Sequence, residues 1–131
     1  MTARLKTALY TASQQGHSNI VQMLLNMGAD MNAKSEEFAP ALFIASEEGH
    51  TDIVTMLLNN GADINVKSAA NRGGTAIIVA SQNDRKEIVK VLLEKGANVN
   101  ATNDNGVSAL QTAFHFGRTD IVKTLLTKLV E

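Results

Sequence analysis

Apolar pairs recur along the chain at nearly constant intervals. Leucine pairs are separated by 33, 35 and 33 residues, at Leu24-Leu25, Leu57-Leu58, Leu92-Leu93 and Leu125-Leu126. The same intervals relate the Ile-Val pairs at Ile20-Val21, Ile53-Val54, Ile88-Val89 and Ile121-Val122, and the alanines Ala12, Ala45, Ala80 and Ala113. Self-similarity at such a period is typical of repeat architectures. The pattern predicts a single domain over residues 1–131 with four units, approximately 1–34, 35–67, 68–102 and 103–131.

Within each unit the apolar spacing predicts two helices. In the second unit, Leu42, Ala45 and Ser46 fall on one face of a short first helix, and residues 53–58 carry the stripe of a second helix. Neither helix can bury its stripe alone, so neighbouring units must stack around one continuous core. The expected fold is an all-α solenoid of helix-turn-helix units.

Polar and glycine residues mark the expected helix ends. The first helices should begin at the hydroxyl caps Thr7, Thr75 and Ser108, and the second helices just after Ser18, Thr51 and Thr119. The second helices should end at Gly28, Gly61 and Gly96, where glycine can adopt a left-handed conformation before an extended connector. The connector between the second and third units is two residues longer than the others, which places Ser68, Ala69 and Ala70 in or beside a longer loop.

Composition excludes several classes of function. The chain is 44% hydrophobic and 19% charged, with a net charge of −1, and has no apolar run of about 20 residues. It lacks the basic character that supplies nucleic-acid or acidic-membrane binding, so we expect neither partner. The absence of cysteine excludes disulfides, thiolate catalysis and sulfur-ligated zinc, and it favours an intracellular, cytoplasmic protein.

The chain resembles the ankyrin repeat family, whose unit is 33 residues long with a Thr-Pro-Leu-His-x-Ala signature. The resemblance covers nearly the whole chain and is carried by Gly16-His17 and Gly49-His50, by the Ile-Val and Leu-Leu pairs, and by the strings at 28–33, 61–65 and 96–101. It implies an ankyrin-repeat solenoid whose helix pairs are joined by extended, hairpin-like loops. The signature itself has drifted, because its histidine is replaced by Tyr10, Phe43, Ile78 and Gln111.

Two departures from the family pattern make the second unit irregular. Phe38 stands where Gly73 and Gly106 stand in the later units, and it would be strained if that site needs a positive φ. The second loop is therefore expected to be distorted. Pro40 replaces the hydroxyl cap, which removes about 1 kcal/mol of helix-entry stabilisation, offset in part by the preset φ of proline.

Few residues have the spacing expected of a catalytic or metal-binding site. His17 and His50 occupy equivalent positions, which we interpret as one structural residue that occurs twice and bonds to loop backbone rather than as a metal pair. His115 has no nucleophile or carboxylate placed beside it by any motif. The acidic pairs at 36–37 and 47–48 lack the ligand spacing of a calcium loop. We expect no catalytic residue, no metal site and no cofactor.

The resemblance implies protein recognition on a concave surface made by the loop tips and the exposed side of each first helix. The matching positions are Arg4, Lys6, Gln14, Gln15, Glu36, Glu37, Ala39, Glu47, Glu48, Asn71, Arg72, Gly74, Gln82, Asn83, Asp104, Asn105, Val107, His115 and Phe116. These positions differ between units while the apolar positions repeat, although an unconstrained surface would also vary. The acidic residues of the second unit predict a protein partner with a basic segment, and His115 and Phe116 predict an apolar anchor.

The ends of the array leave a second interpretation open. The first unit carries the usual apolar set without polar replacements, so we expect its outer face to be covered by further units or by another chain. In this alternative the chain is a structural or self-assembling segment, a possible homo-oligomer that stacks through its terminal faces. An enzymatic function would require a bound metal or cofactor.

Overall fold

Eight helices form four antiparallel pairs in the computed structural model, which describes residues 2–32 and 37–131. The first helices of the four units are α1 (Thr2–Gln15), α3 (Ala41–Glu48), α5 (Ala76–Gln82) and α7 (Ala109–His115). The second helices are α2 (Ser18–Asn26), α4 (Thr51–Asn59), α6 (Lys86–Glu94) and α8 (Thr119–Leu129). First helices pack against first helices and second helices against second helices, so the stack has two layers with the core between them.

The repeated apolar positions form columns through this core. The alanine column of Ala12, Ala45, Ala80 and Ala113 is buried in all four units. The isoleucine column is buried at 53, 88 and 121, but Ile20 in the first unit is 46% exposed. This isoleucine therefore faces the preceding unit, and only the copy without a described preceding unit is open to solvent.

Polar bonds tie each unit to the one before it. His50 Nε2 lies 2.9 Å from the carbonyl oxygen of Gln14, so this histidine bonds to backbone as expected, but at the end of helix α1 rather than in a loop. Arg85 and Arg118 occupy the same position in the third and fourth units and donate to the carbonyl oxygens of Glu47 and Gln82. A longer side chain thus makes the same contact between units where the histidine is absent.

The connectors after the second helices have the expected turn chemistry. Gly28, Gly61 and Gly96 have φ of 89°, 96° and 91°, the left-handed conformation that ends a helix. Short antiparallel bridges join Ser68 to Gly74 and Thr102 to Ser108, which gives the connectors into the third and fourth units their hairpin-like form. The connector between the second and third units, which is two residues longer, contains a 3₁₀ turn at Ala69–Asn71, within the loop that the sequence indicated.

Two of the three hydroxyl caps predicted for the first helices are wrong. Thr7 lies inside α1, because the apolar stripe continues back from Leu9 to Leu5 and the helix starts at Thr2. Thr75 precedes α5, but its hydroxyl is buried and makes no hydrogen bond. Ser108 does cap α7: its Oγ accepts from the Gln111 N–H, and the Gln111 side chain accepts from the Ser108 N–H.

The strain expected at Phe38 is not present. Among the described residues other than glycine, only Arg72 and Asp84 have positive φ. The aromatic side chain of Phe38 packs against Tyr10 instead, with ring centroids 5.0 Å apart. Residues 33–36, part of the loop expected to be distorted, lie outside the described residues.

Candidate functional site

The ends of the first helices and the loop tips form one surface, here called the first-helix face. Its helical positions are the last residues of α1, α3, α5 and α7 with the residues that follow them. They read Gln14 and Gln15, Glu47 and Glu48, Gln82 and Asn83, and His115 and Phe116. The backbone at these positions repeats, since three of these helix ends receive the His or Arg contact from the next unit. The side chains vary on this regular scaffold: the first and third units present amides, the second unit carboxylates and the fourth unit an imidazole and a phenyl ring.

The first unit contributes helical residues where the family resemblance implied a loop tip. Arg4 is exposed and Lys6 half-buried, and both lie on α1, because this helix extends back through the positions that are loop in the other units. Lys6 lies with Tyr10 and Phe38 around a small surface depression. Gln15 is exposed at the end of α1.

The second unit carries the acidic part of the face. Glu47 is half-buried and Glu48 exposed at the end of α3, and neither carboxylate forms an ion pair among the described residues. Burial, with a smaller contribution from the Glu48 carboxylate, raises the pKa of Glu47. Glu37 is exposed and Ala39 half-buried, whereas Glu36 lies outside the described residues.

The third unit brings four of the expected residues to one cavity of about 340 Å³, here called the repeat 2–3 cavity. Its lining is Phe43, Glu47, Ala70, Asn71, Arg72, Gly74, Ile78, Val79, Gln82 and Asn103. The carboxylate-bearing Glu47 thus shares a rim with the exposed Arg72, and the two form no ion pair. Asn83 is turned to the scaffold instead, because its amide donates to the Glu47 carbonyl oxygen over 3.3 Å.

Sequence reasoning missed the apolar floor of this cavity. Phe43, Ile78 and Val79 lie on the first helices, where apolar residues were interpreted only as core. A signal was available in the sequence: Phe43 and Ile78 replace the signature histidine of the family, at the position where the first and fourth units have Tyr10 and Gln111. Two adjacent apolar replacements indicate an apolar patch between the second and third units.

The fourth unit forms the other end of the face. Asp104 and Asn105 are exposed and Val107 is half-buried, in a turn where the Asn103 side chain accepts from the backbone N–H groups of Asn105 and Val107. The rings of His115 and Phe116 meet edge to face at 4.9 Å, and the Arg118 guanidinium lies 5.9 Å from the Phe116 centroid. Phe116 is 44% exposed, so an apolar contact is available here as expected.

The described residues contain neither a cluster of metal ligands nor a membrane-spanning helix. No group of three or more histidine or acidic side chains among them is placed to hold a metal ion. None of the described helices has both the length and the apolar character needed to cross a membrane. The first-helix face presents carboxylates, amides, the guanidinium groups of Arg4 and Arg72, and exposed apolar groups.

Comparison with known protein families identifies the chain. A family model described as ankyrin repeats (3 copies) matches residues 2–68 and 42–131. Because these matches together span nearly all of the described solenoid, the chain belongs to the ankyrin repeat family. Proteins of this family generally act in protein-protein interaction. A search of curated proteins returned no match.

Proposed function

We propose that this domain is a non-catalytic protein-binding module whose first-helix face receives the partner. The observation that carries the proposal is the contrast between buried positions, which repeat from unit to unit, and the helix-end side chains, which vary among amide, carboxylate and aromatic groups. A rigid stack of this kind presents a preformed surface, which lowers the ordering cost of association. We further propose an intracellular, cytoplasmic location, on the basis of the cysteine-free composition.

Charge on the face supports a partner with a basic segment. The three ion pairs of the described residues involve second-helix residues or the C-terminal end: Lys86–Asp120, Lys90–Glu87 and Lys128–Glu131. Neither Glu47 nor Glu48 forms an ion pair among the described residues, so both carboxylates can attract a positively charged group of a binding partner. A basic segment placed there would be steered by their field and would relieve the repulsion between the two carboxylates.

Charge reversal tests this function. Glu47→Lys/Glu48→Lys changes the first-helix face, and Glu87→Lys/Glu94→Lys makes the same charge change on the exposed side of α6. We expect affinity capture from the source cell extract, quantified by mass spectrometry, to lose its specific proteins with the first variant and to keep them with the second. With the purified partner, the first variant should associate more slowly and with weaker salt dependence. Equal capture by both variants and the parent would contradict the proposal.

A specific observation also favours the second candidate, self-assembly through the terminal faces. Every exposed large apolar side chain of the described residues lies in the first or the fourth unit: Ile20, Met23, Met27, Phe114, Phe116, Leu126, Leu129 and Val130. The outer faces are also complementary, since the exposed His17 occupies the position from which His50 reaches the Gln14 carbonyl oxygen, and His115 occupies the position of Gln14.

Light scattering over a concentration series tests the second candidate. Head-to-tail stacking would raise the mass above that of one chain, and Met23→Glu together with Leu126→Glu would return it to one chain. A mass that stays at one chain across the series would reject self-assembly. It would leave recognition on the first-helix face unaffected, because the two surfaces do not share the residues changed.

A further inference from the structure

We propose that the repeat 2–3 cavity anchors the partner by receiving one aromatic side chain that neighbours a lysine or arginine in the partner's sequence. This inference rests on the proposed function and specifies where and how the partner is held. Four observations support it: the apolar floor, the inserted wall, the unpaired rim charges and the size of the cavity.

The floor of the cavity is apolar, like the equivalent positions between the first and second units and unlike those between the third and fourth units. Phe43, Ile78 and Val79 line it, and they are 3%, 5% and 6% exposed. The equivalents of Val79 in the first and fourth units are Thr11 and Thr112, so those units have a more polar surface here. A partner side chain that enters the cavity would therefore meet an apolar surface, separate from the exposed Phe116 at the other end of the first-helix face.

The wall of the cavity is made by the two-residue insertion. Ala70 and Asn71 belong to the inserted 3₁₀ turn, and Arg72 follows at φ 56°. This left-handed conformation is costly for a residue with a side chain and persists where surrounding contacts enforce it. The Asp104 N–H donates to the Arg72 carbonyl oxygen over 2.9 Å, so the next unit holds the wall in place.

Two side chains of opposite charge, Glu47 and Arg72, lie at the rim of the cavity, and neither forms an ion pair among the described residues. Glu47 is half-buried at the cavity, and burial raises the pKa of its carboxyl. A lysine or arginine of the partner placed beside Glu47 and Glu48 would stabilise the charged form. The exposed Arg72 guanidinium can lie over the face of a ring seated on the floor, and Phe43 below adds an aromatic contact.

The volume limits what the cavity can hold. At about 340 Å³ it lies at the small end of ligand pockets, which suits one large side chain and its adjoining main chain. An aromatic ring uses this space better than an aliphatic chain, since it gains both the contact with Phe43 and the cation–π contact with Arg72. Aromatic residues that fill pockets are common hot spots of protein interfaces.

Capped tetrapeptides titrated against the full chain and followed by methyl NMR test this directly. The probe has the sequence glycine, phenylalanine, arginine, glycine, and two matched peptides replace the phenylalanine by alanine or the arginine by glutamate. We expect the Ile78 and Val79 methyl signals to shift with the probe while the Val21 methyls, on the opposite layer, stay fixed. Each matched peptide should bind at least about tenfold more weakly.

Variants of the chain complete the test. Deletion of Ala69 and Ala70 removes the inserted wall and should abolish the shifts. Arg72→Gly removes the guanidinium without backbone strain, and Glu47→Gln has the residue present at Gln14 and Gln82, so both should fold and bind more weakly. Asn19→Glu is the control, which places a carboxylate on the exposed side of α2, outside the first-helix face, and should leave binding unchanged.

The outcomes separate this inference from the function on which it rests. Equal binding of the three peptides, or no shift at Ile78 and Val79, would overturn the cavity as an aromatic anchor. Shifts confined to another part of the first-helix face would also overturn it, but would leave protein binding on that face standing. Equal capture by the parent chain and both charge-reversal variants would count against the proposed function itself.

Discussion

Single residues in this domain show where recognition and stability compete. Glu47 is held half-buried with a carboxyl pKa above its ordinary value, chiefly because of burial and secondarily because of Glu48. The folded chain therefore keeps this proton to a higher pH than the unfolded chain. The free energy of unfolding should fall as pH rises from the unfolded pKa through the folded pKa, and the charged side chain should destabilise the fold above that range.

Glu47→Gln is expected to remove this contribution to the pH dependence and to stabilise the domain at neutral pH, while weakening partner binding. Chemical denaturation at several pH values, from acidic to neutral, measures the change. The Gln14→Glu variant serves as control for a helix-end carboxylate elsewhere on the face. An unaltered pH dependence in Glu47→Gln would show that this carboxyl does not couple to folding.

Backbone conformation at Asp84 gives a second prediction at this scale. Asp84 has φ 59° at the position where the other units have Gly16, Gly49 and Gly117. Asp84→Gly should raise the free energy of unfolding by up to about 1 kcal/mol, because the relief of strain exceeds the added entropy of the unfolded chain. The converse change, Gly117→Ala, meets no neighbouring atom within 4 Å and should cost about 1 kcal/mol from φ alone. Urea denaturation of both variants tests the pair, and equal stabilities would contradict the strain argument.

At the scale of elements, the prediction concerns the residues that precede the first helices α7 and α5. Ser108 caps α7 with a reciprocal pair of bonds to Gln111, so Ser108→Ala should destabilise the domain by about 1 kcal/mol. Thr75 stands at the same position before α5, but its buried hydroxyl has no hydrogen-bond partner. Thr75→Val keeps the shape and removes the unpaired hydroxyl, so it should be neutral or stabilising by up to about 1 kcal/mol. Thermal unfolding separates the two, and a large loss in Thr75→Val would indicate a bond that the static structure does not contain.

The sequence predicted elements well where the signal was repeated and poorly where it was unique. The helix pairs and their glycine ends follow from apolar spacing that recurs in all four units. The start of α1 was misplaced because Thr7 resembles the caps of later units, while the stripe from Leu5 continues the helix past it. Phe38 avoids the left-handed region through a contact with Tyr10 that depends on tertiary packing.

The sequence predicted individual surface residues of the candidate site, but it did not predict that several of them line the same cavity. Glu47, Asn71, Arg72 and Gln82 were each expected on the surface, and the structure brings them to one cavity. The floor was missed because Phe43 and Ile78 have the composition of core residues. Whether an apolar side chain on a first helix faces the core or a cavity depends on the neighbouring loop, which periodicity does not encode.

At the scale of the whole molecule, stability should decrease toward both ends. In a stack each unit contacts only its neighbours, so an outer unit loses one of two interfaces. The central helix α4 buries Ile53, Val54 and Leu57, whereas α2 buries only Val21 among its residues. Met23 and Met27 on α2 are 61% and 67% exposed, which reflects the open outer face.

Hydrogen exchange followed by mass spectrometry should therefore show a gradient of protection. Amides of α4 and α6 are expected to exchange most slowly, and those of α2 and of the end of α8 fastest, because the outer units open without disrupting the centre. Measurement at several protein concentrations controls for stacking between chains. Uniform protection along the chain would mean that the four units unfold together as one cooperative unit.

The inserted turn shows that this architecture separates loop length from helix spacing. Although the connector between the second and third units is longer, Ile88, Val89 and Leu92 are buried like their counterparts in the second unit. Arg85 also still reaches the Glu47 carbonyl oxygen. The extra residues are absorbed at the edge of the stack and leave the registry of the helices unchanged. Residues 69–71 are therefore a suitable site for grafting foreign sequence, and new binding specificity could be added there without redesign of the core.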